Sequence, residues 1–139
     1  MHAPDRRSIL EIARNALAAA LPETWAVYAY GSFARSDEWP GSDIDLAVLL
    51  PPGVVIPDKL ALIAEISRAV GREVDVVSLR DAGLDLVHEI LRDGEQLLVQ
   101  RASDVLGWEA EQMTDYALFN PRRAEIVERY LSEPLRSTS

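Results

Sequence analysis

The 139-residue chain is 48% hydrophobic and 27% charged, a balance typical of globular domains that excludes disordered and fibrous classes. It has no cysteine, which excludes disulfides and thiolate zinc sites and fits an expected cytoplasmic location. A net charge of −9 repels polyanions, so a long nucleic-acid strand is a poor substrate and a protein or small molecule a better one.

Charges at Asp5, Arg6, Arg7, Glu11 and Arg14 interrupt the N-terminal stretch. The apolar run Ala16 to Leu21 is too short for a signal sequence or a membrane span. A soluble chain is expected, with one core of ordinary size. From Arg6 to Leu21 the apolar positions Ile9, Ile12, Ala13, Ala16, Leu17, Ala20 and Leu21 follow helical spacing and stop at Pro22. Trp25 to Tyr30 is aromatic and β-branched and ends at Gly31, the pattern of a strand entering a tight turn. Gly31-Ser32 then opens a short helix through Arg35. Asp43 to Leu50 forms a second strand, closed by Pro51-Pro52-Gly53.

Asp58 caps a helix through Val70, with Leu60, Ile63, Ala64, Ile66 and Val70 inward and Gly71 as its stop. Glu73 to Leu79 is a third strand. Asp81 starts a helix with Leu84, Val87, Ile90 and Leu91 inward, ending at Gly94, and a fourth strand runs from Gln96 to Val99. Helical segments follow at Asp104 to Phe119 and Pro121 to Leu131, then a frayed tail from Pro134 to Ser139. This order predicts an α/β (α+β) fold: a mixed sheet flanked by helices, with a helical C-terminal segment. One domain is expected over residues 1–133.

The chemistry concentrates between Gly31 and Asp45. Asp43 and Asp45 lie two apart on a strand, so both carboxylates project from one face. At about 4 Å two such charges repel by roughly 4 kcal/mol at an effective dielectric of 20, which calls for a cation. Mg²⁺ suits the pair, because it takes one or two carboxylates together with waters and substrate phosphates. Asp75, inside Val74-Asp75-Val76-Val77, faces a desolvation cost of several kcal/mol if buried alone. A shared metal relieves that cost, as does pairing with Arg72 or Arg80. With Asp75 on a neighbouring strand, three carboxylates can hold two ions for an in-line displacement.

Gly31-Ser32 offers backbone N–H groups and a hydroxyl to a phosphate, and Arg35 adds a charged donor. A plain N-cap after a turn glycine accounts for the same residues. Spacing separates the two readings. Gly-Ser, ten residues, then Asp-x-Asp recurs by chance in about one chain per thousand of this length. Phe33, Trp39 or Tyr30 could stack on a base, although aromatics in such places more often pack a core. His2 and His88 do not read as catalytic bases.

Gly31-Ser32-Phe33-Ala34-Arg35 with Ser42-Asp43-Ile44-Asp45-Leu46 resembles the nucleotidyltransferase superfamily of the DNA polymerase β type. Its minimal members are single-domain antitoxins of the MntA type, paired with HEPN-domain toxins. The resemblance implies a polymerase β-type fold and two Mg²⁺ ions held by Asp43, Asp45 and Asp75, with Asp75 also helping to deprotonate the acceptor. It implies that Gly31, Ser32, Arg35 and Ser42 hold the nucleotide. It further implies AMP transfer from ATP to a tyrosine of a cognate HEPN ribonuclease toxin, within a hetero-oligomer.

Two other readings stay open. One is a small-molecule nucleotidyltransferase of the antibiotic-modifying kind, which generally adds a second substrate domain. The other is a non-catalytic antitoxin that occludes a toxin through Trp108, Met113, Tyr116 and Phe119.

Overall fold

Alternating apolar side chains on four short strands create two cores, one on each face of a single sheet. A computed structural model describes residues 5–34 and 43–119. The elements run α1 (Arg6–Ala20), β1 (Ala26–Tyr30), α2 (Gly31–Ala34), β2 (Ile44–Leu49), α3 (Lys59–Val70), β3 (Val74–Ser78), α4 (Leu84–Asp93), β4 (Glu95–Val99) and α5 (Ala102–Phe119). The strand order is β3-β2-β1-β4. β1 is antiparallel to β2 and to β4, whereas β2 and β3 are parallel. This is the mixed sheet expected from two strands in close succession followed by helical crossovers.

Val27 and Ala29 of β1, Ile44, Leu46 and Val48 of β2, and Val74 and Val76 of β3 face α1 and α3. The alternate residues Ala26, Tyr28 and Tyr30, with Ala47 and Leu49, face α4 and α5. The Tyr28 hydroxyl donates to the Glu109 carboxylate at 2.6 Å, tying α5 to the centre of the sheet. Among the described residues no helix is long and apolar enough to cross a membrane. The expected helix at Pro121 to Leu131 and the tail from Pro134 lie outside the described residues.

Helix ends follow their local chemistry. The Asp5 carboxylate accepts from the Ser8 N–H at 2.7 Å and that of Asp58 from the Ala61 N–H at 3.1 Å, each satisfying a donor that the first turn leaves unpaired. Gly71 closes α3 in the left-handed conformation. Asp81 does not start α4. It lies in the preceding turn, its N–H bonded to the Ser78 carbonyl at 3.0 Å, and Gly83 is the N-cap.

Two helix faces differ from expectation. In α1 Leu10 is fully buried beside Ala13 and Leu17, while Ile12 is 40% exposed. The five alanines of the segment leave its apolar stripe wide, so it can be drawn about either edge. In α3, Leu62 and Ile66 are buried, whereas Leu60 is 80% exposed and Ala64 also faces solvent. The helix presents the row one turn apart from Leu62, and Leu60 lies outside it. The occlusion patch is divided as well: Trp108 is core and Tyr116 stacks on His88 at 3.7 Å, while Met113 and Phe119 are exposed.

Gly94 marks where α4 turns into β4. A Cβ there would lie 2.5 Å from the Ile90 carbonyl oxygen and 3.0 Å from that of Ala29, both backbone atoms. Gly94→Ala is therefore expected to lower stability by about 1–3 kcal/mol. Gly83→Ala, where a Cβ meets nothing within 4 Å, should stay within about 1 kcal/mol of wild type. Urea denaturation of the two variants checks the contrast.

Candidate functional site

Register brings together what the chain separates. Tyr30 on β1 pairs with Asp45 on β2, and Asp45 pairs with Asp75 on β3. Residues opposite one another across a ladder project to the same face, so these three form a row at one end of the sheet, on the α4 and α5 side. Adjacent strands are about 4.8 Å apart, which sets the scale of the carboxylate separation. Asp43 stands two residues ahead of Asp45, exposed, just before β2 begins.

Asp75 is exposed rather than buried. Desolvation therefore does not single it out; the in-register pairing with Asp45 does. The two arginines considered as its partners are engaged elsewhere. The Arg80 Nε donates to the Leu50 carbonyl and its guanidinium lies over the Trp25 ring at 5.1 Å. The Arg72 guanidinium lies over the Phe33 ring at 4.9 Å.

Electrostatics follow from this row. Burial pushes the half-buried Asp45 carboxyl above the usual carboxylate range, and the charges of Asp75, Asp43 and Glu89 push the same way. Burial, with the charges of Asp45, Asp75 and Glu89, raises the Tyr30 phenol to about 12. Tyr30 thus stays protonated and adds no charge to the row. Glu89, on α4, was not among the residues expected here. Its approach depends on how α4 packs over the sheet, for which no local pattern in the chain gives a signal.

Gly31 is fixed by Asp45. Its φ is +77°, and a Cβ there would lie 2.5 Å from the Asp45 Oδ2. Only glycine lets the turn after β1 come this close to the carboxylate while holding a left-handed conformation. Ser32 lies in α2, directly after it. The turn is braced from behind: the Arg6 Nε donates to the Phe33 carbonyl at 2.9 Å, and its Nη2 bonds Glu95 at 2.7 Å. Arg7 reaches the other Glu95 oxygen at 2.6 Å. Burial would raise the Glu95 carboxyl, but hydrogen bonds and charge from Arg6 and Arg7 outweigh it and hold it below its ordinary range.

Phe33 is buried beneath Arg72 and is not free to stack on a base. Arg35, Trp39 and Ser42 lie outside the described residues.

The donor set suits a hard divalent cation. Asp43, Asp45 and Asp75 supply only oxygen, and mutual repulsion within the row is what such an ion would relieve. Among the described residues no three His, Cys, Asp or Glu side chains close around one point by themselves.

Comparison with known proteins places the fold. The chain is 26% identical over 108 residues to the protein adenylyltransferase MntA of Shewanella oneidensis, spanning 78% of this chain and 77% of that protein. Its fold is similar to a chain in the crystal structure of a toxin–antitoxin with AMP-PNP, with a TM-score of 0.71 and 24% identity, over 89% of this chain and 98% of that one. It is also similar to a chain of the tri-AMPylated Shewanella oneidensis HEPN toxin in complex with MNT antitoxin. There the TM-score is 0.69 and the identity 22%, over 92% of this chain and the whole of that one. The family described as Polymerase beta, Nucleotidyltransferase matches residues 15–103, the span that carries Gly31, Asp43, Asp45 and Asp75, and the chain belongs to that nucleotidyltransferase family.

Proposed function

We propose that this protein is an antitoxin that transfers AMP from ATP to a tyrosine of a cognate HEPN-type ribonuclease toxin and so neutralises it. The observation that carries this reading is the row Tyr30, Asp45, Asp75 with Gly31 packed against Asp45. It puts the Gly31 turn and a carboxylate pair at one place, which supports a site for a triphosphate and its metal. Similarity to an adenylyltransferase and to chains from toxin–antitoxin complexes supports a protein as the acceptor.

On this reading the backbone at Gly31 and Ser32 receives the triphosphate, with Arg35 and Ser42 as further nucleotide contacts. Asp43 and Asp45 would hold Mg²⁺, with Asp75 as a further ligand from the neighbouring strand. When bound, the metal neutralises the triphosphate and the charge that develops on the leaving group. The acceptor tyrosine oxygen attacks the α-phosphorus. The bond from that phosphorus to the oxygen bridging to the β-phosphate breaks, and pyrophosphate leaves. The hydroxyl proton passes to the Asp75 carboxylate, whose exposure leaves it open to an incoming acceptor. Arg6 keeps the turn in place through the Phe33 carbonyl.

Incubation with the HEPN-type protein encoded beside it, ATP and Mg²⁺ should raise the intact mass of that partner by one or more AMP units. An unchanged partner mass with every one of the four nucleotides would contradict the reading.

Asp45→Asn and Gly31→Ala should differ in kind. Asp45→Asn should slow transfer by on the order of 10²–10³, yet melt no lower than wild type without divalent cations, because it removes a charge that the fold disfavours. Gly31→Ala should lose both activity and about 1–3 kcal/mol of stability. Parallel melting and transfer assays read both.

A further inference from the structure

The sheet ends at β3, which has a described neighbour on one side only, β2. The Ile44 N–H bonds the Glu73 carbonyl at 3.0 Å, and the Leu79 N–H bonds the Val48 carbonyl at 2.9 Å. In a parallel ladder successive residues turn their amides to opposite sides. Residues 73, 75, 77 and 79 therefore face β2, and Val74, Val76 and Ser78 present theirs to the outer edge. Such an edge accepts an added strand.

Beside that edge lies a groove of about 310 Å³, whose lining includes Val55, Ile56, Lys59, Val77, Asp81 and Leu86. Val55, at its rim, is 68% exposed. Val77 projects to the same face as Asp75, two residues away and so roughly 6–7 Å along the strand. The groove thus opens at the C-terminal end of the strand that carries Asp75. Towards the other end of that strand Asp43, Asp45, Asp75 and Glu89 give a strongly negative field, in a chain of net charge −9.

We propose that the outer edge of β3 and this groove receive the acceptor segment of the protein partner. It binds as an extended strand, with apolar side chains in the groove and basic residues beside its acceptor hydroxyl. This rests on the reading that the acceptor is a protein. Main-chain pairing with Val74, Val76 and Ser78 sets the register, the groove reads alternate side chains, and a hydroxyl about two residues beyond the groove arrives at Asp75. The negative field favours a basic segment, which complements the charge of the chain.

Because the chain has no cysteine, a single introduced thiol can be labelled uniquely. Val55→Cys carrying a bulky maleimide adduct should lower kcat/KM for the partner at least tenfold, with unchanged affinity for a fluorescent ATP analogue. The comparison is with the same variant before labelling, so the effect read is that of the adduct. An adduct on Glu11→Cys, exposed on α1, should have no effect. In parallel, amide exchange at Val76 and Ser78 should slow at least tenfold when the partner is added without nucleotide.

Unchanged exchange at these amides, or wild-type transfer by the labelled Val55→Cys, would overturn the proposal. So would equal protection in the chain alone at high concentration, which would assign the edge to a second copy. A wild-type chain that protects these amides with its partner yet adds no AMP would uphold the docking edge and overturn the transfer reading.

Discussion

The Asp45 carboxylate lies against the backbone at Gly31, and the rest of the arrangement depends on that contact. A Cβ at position 31 would sit 2.5 Å from Oδ2, so turn and carboxylate occupy adjoining space. The same side chain lies in register with Tyr30 on one side and Asp75 on the other. One residue therefore links the Gly31 turn to the carboxylate row. Half-buried among like charges, Asp45 is disfavoured in its ionised form. Such a site keeps a cost in the free protein that a bound cation and phosphate would offset.

Holding that contact requires rigidity behind it, and the fold supplies it from distant parts of the chain. Arg6, at the start of α1, joins the Phe33 carbonyl to Glu95 at the start of β4. Phe33 itself is buried in the core on the α1 and α3 side. The short α2 is thus tied to the first helix and the last strand at once. On the other face, α4 and α5 cover the strands and bring Glu89 towards the row. Two cores on one sheet leave its end as the place where charged groups can gather without being buried outright.

Much of this could be read in the chain, for identifiable reasons. Period-two alternation places Asp43 and Asp45 on one face, and Gly31-Ser32 at a fixed distance before them marks the turn. Strand and helix order foretells a mixed sheet. For Asp75 the expected neighbouring strand holds and the expected burial does not: it is exposed, and register is what joins it to Asp45. Register between strands thirty residues apart has no local signature. Neither has the Arg6 to Glu95 tie, across 89 positions, nor the approach of Glu89. The inward faces of α1 and α3 are not legible at Ile12 and Leu60, because an alanine-rich or broadly apolar helix supports more than one stripe.

Nucleotide and acceptor reach the row from different directions on this account, the first over the Gly31 turn and the second along the open edge of β3. The central claim is that the row is completed by a cation arriving with a triphosphate. Thermal melting with a non-hydrolysable ATP analogue and Mg²⁺, added singly and together, tests it most directly. Ligands that bind only the folded state raise Tm by mass action. The account predicts a rise with both that well exceeds the sum of the separate rises, and loss of that excess in Asp45→Asn. A full rise from the nucleotide alone, unchanged by Mg²⁺ or by Asp45→Asn, would contradict it.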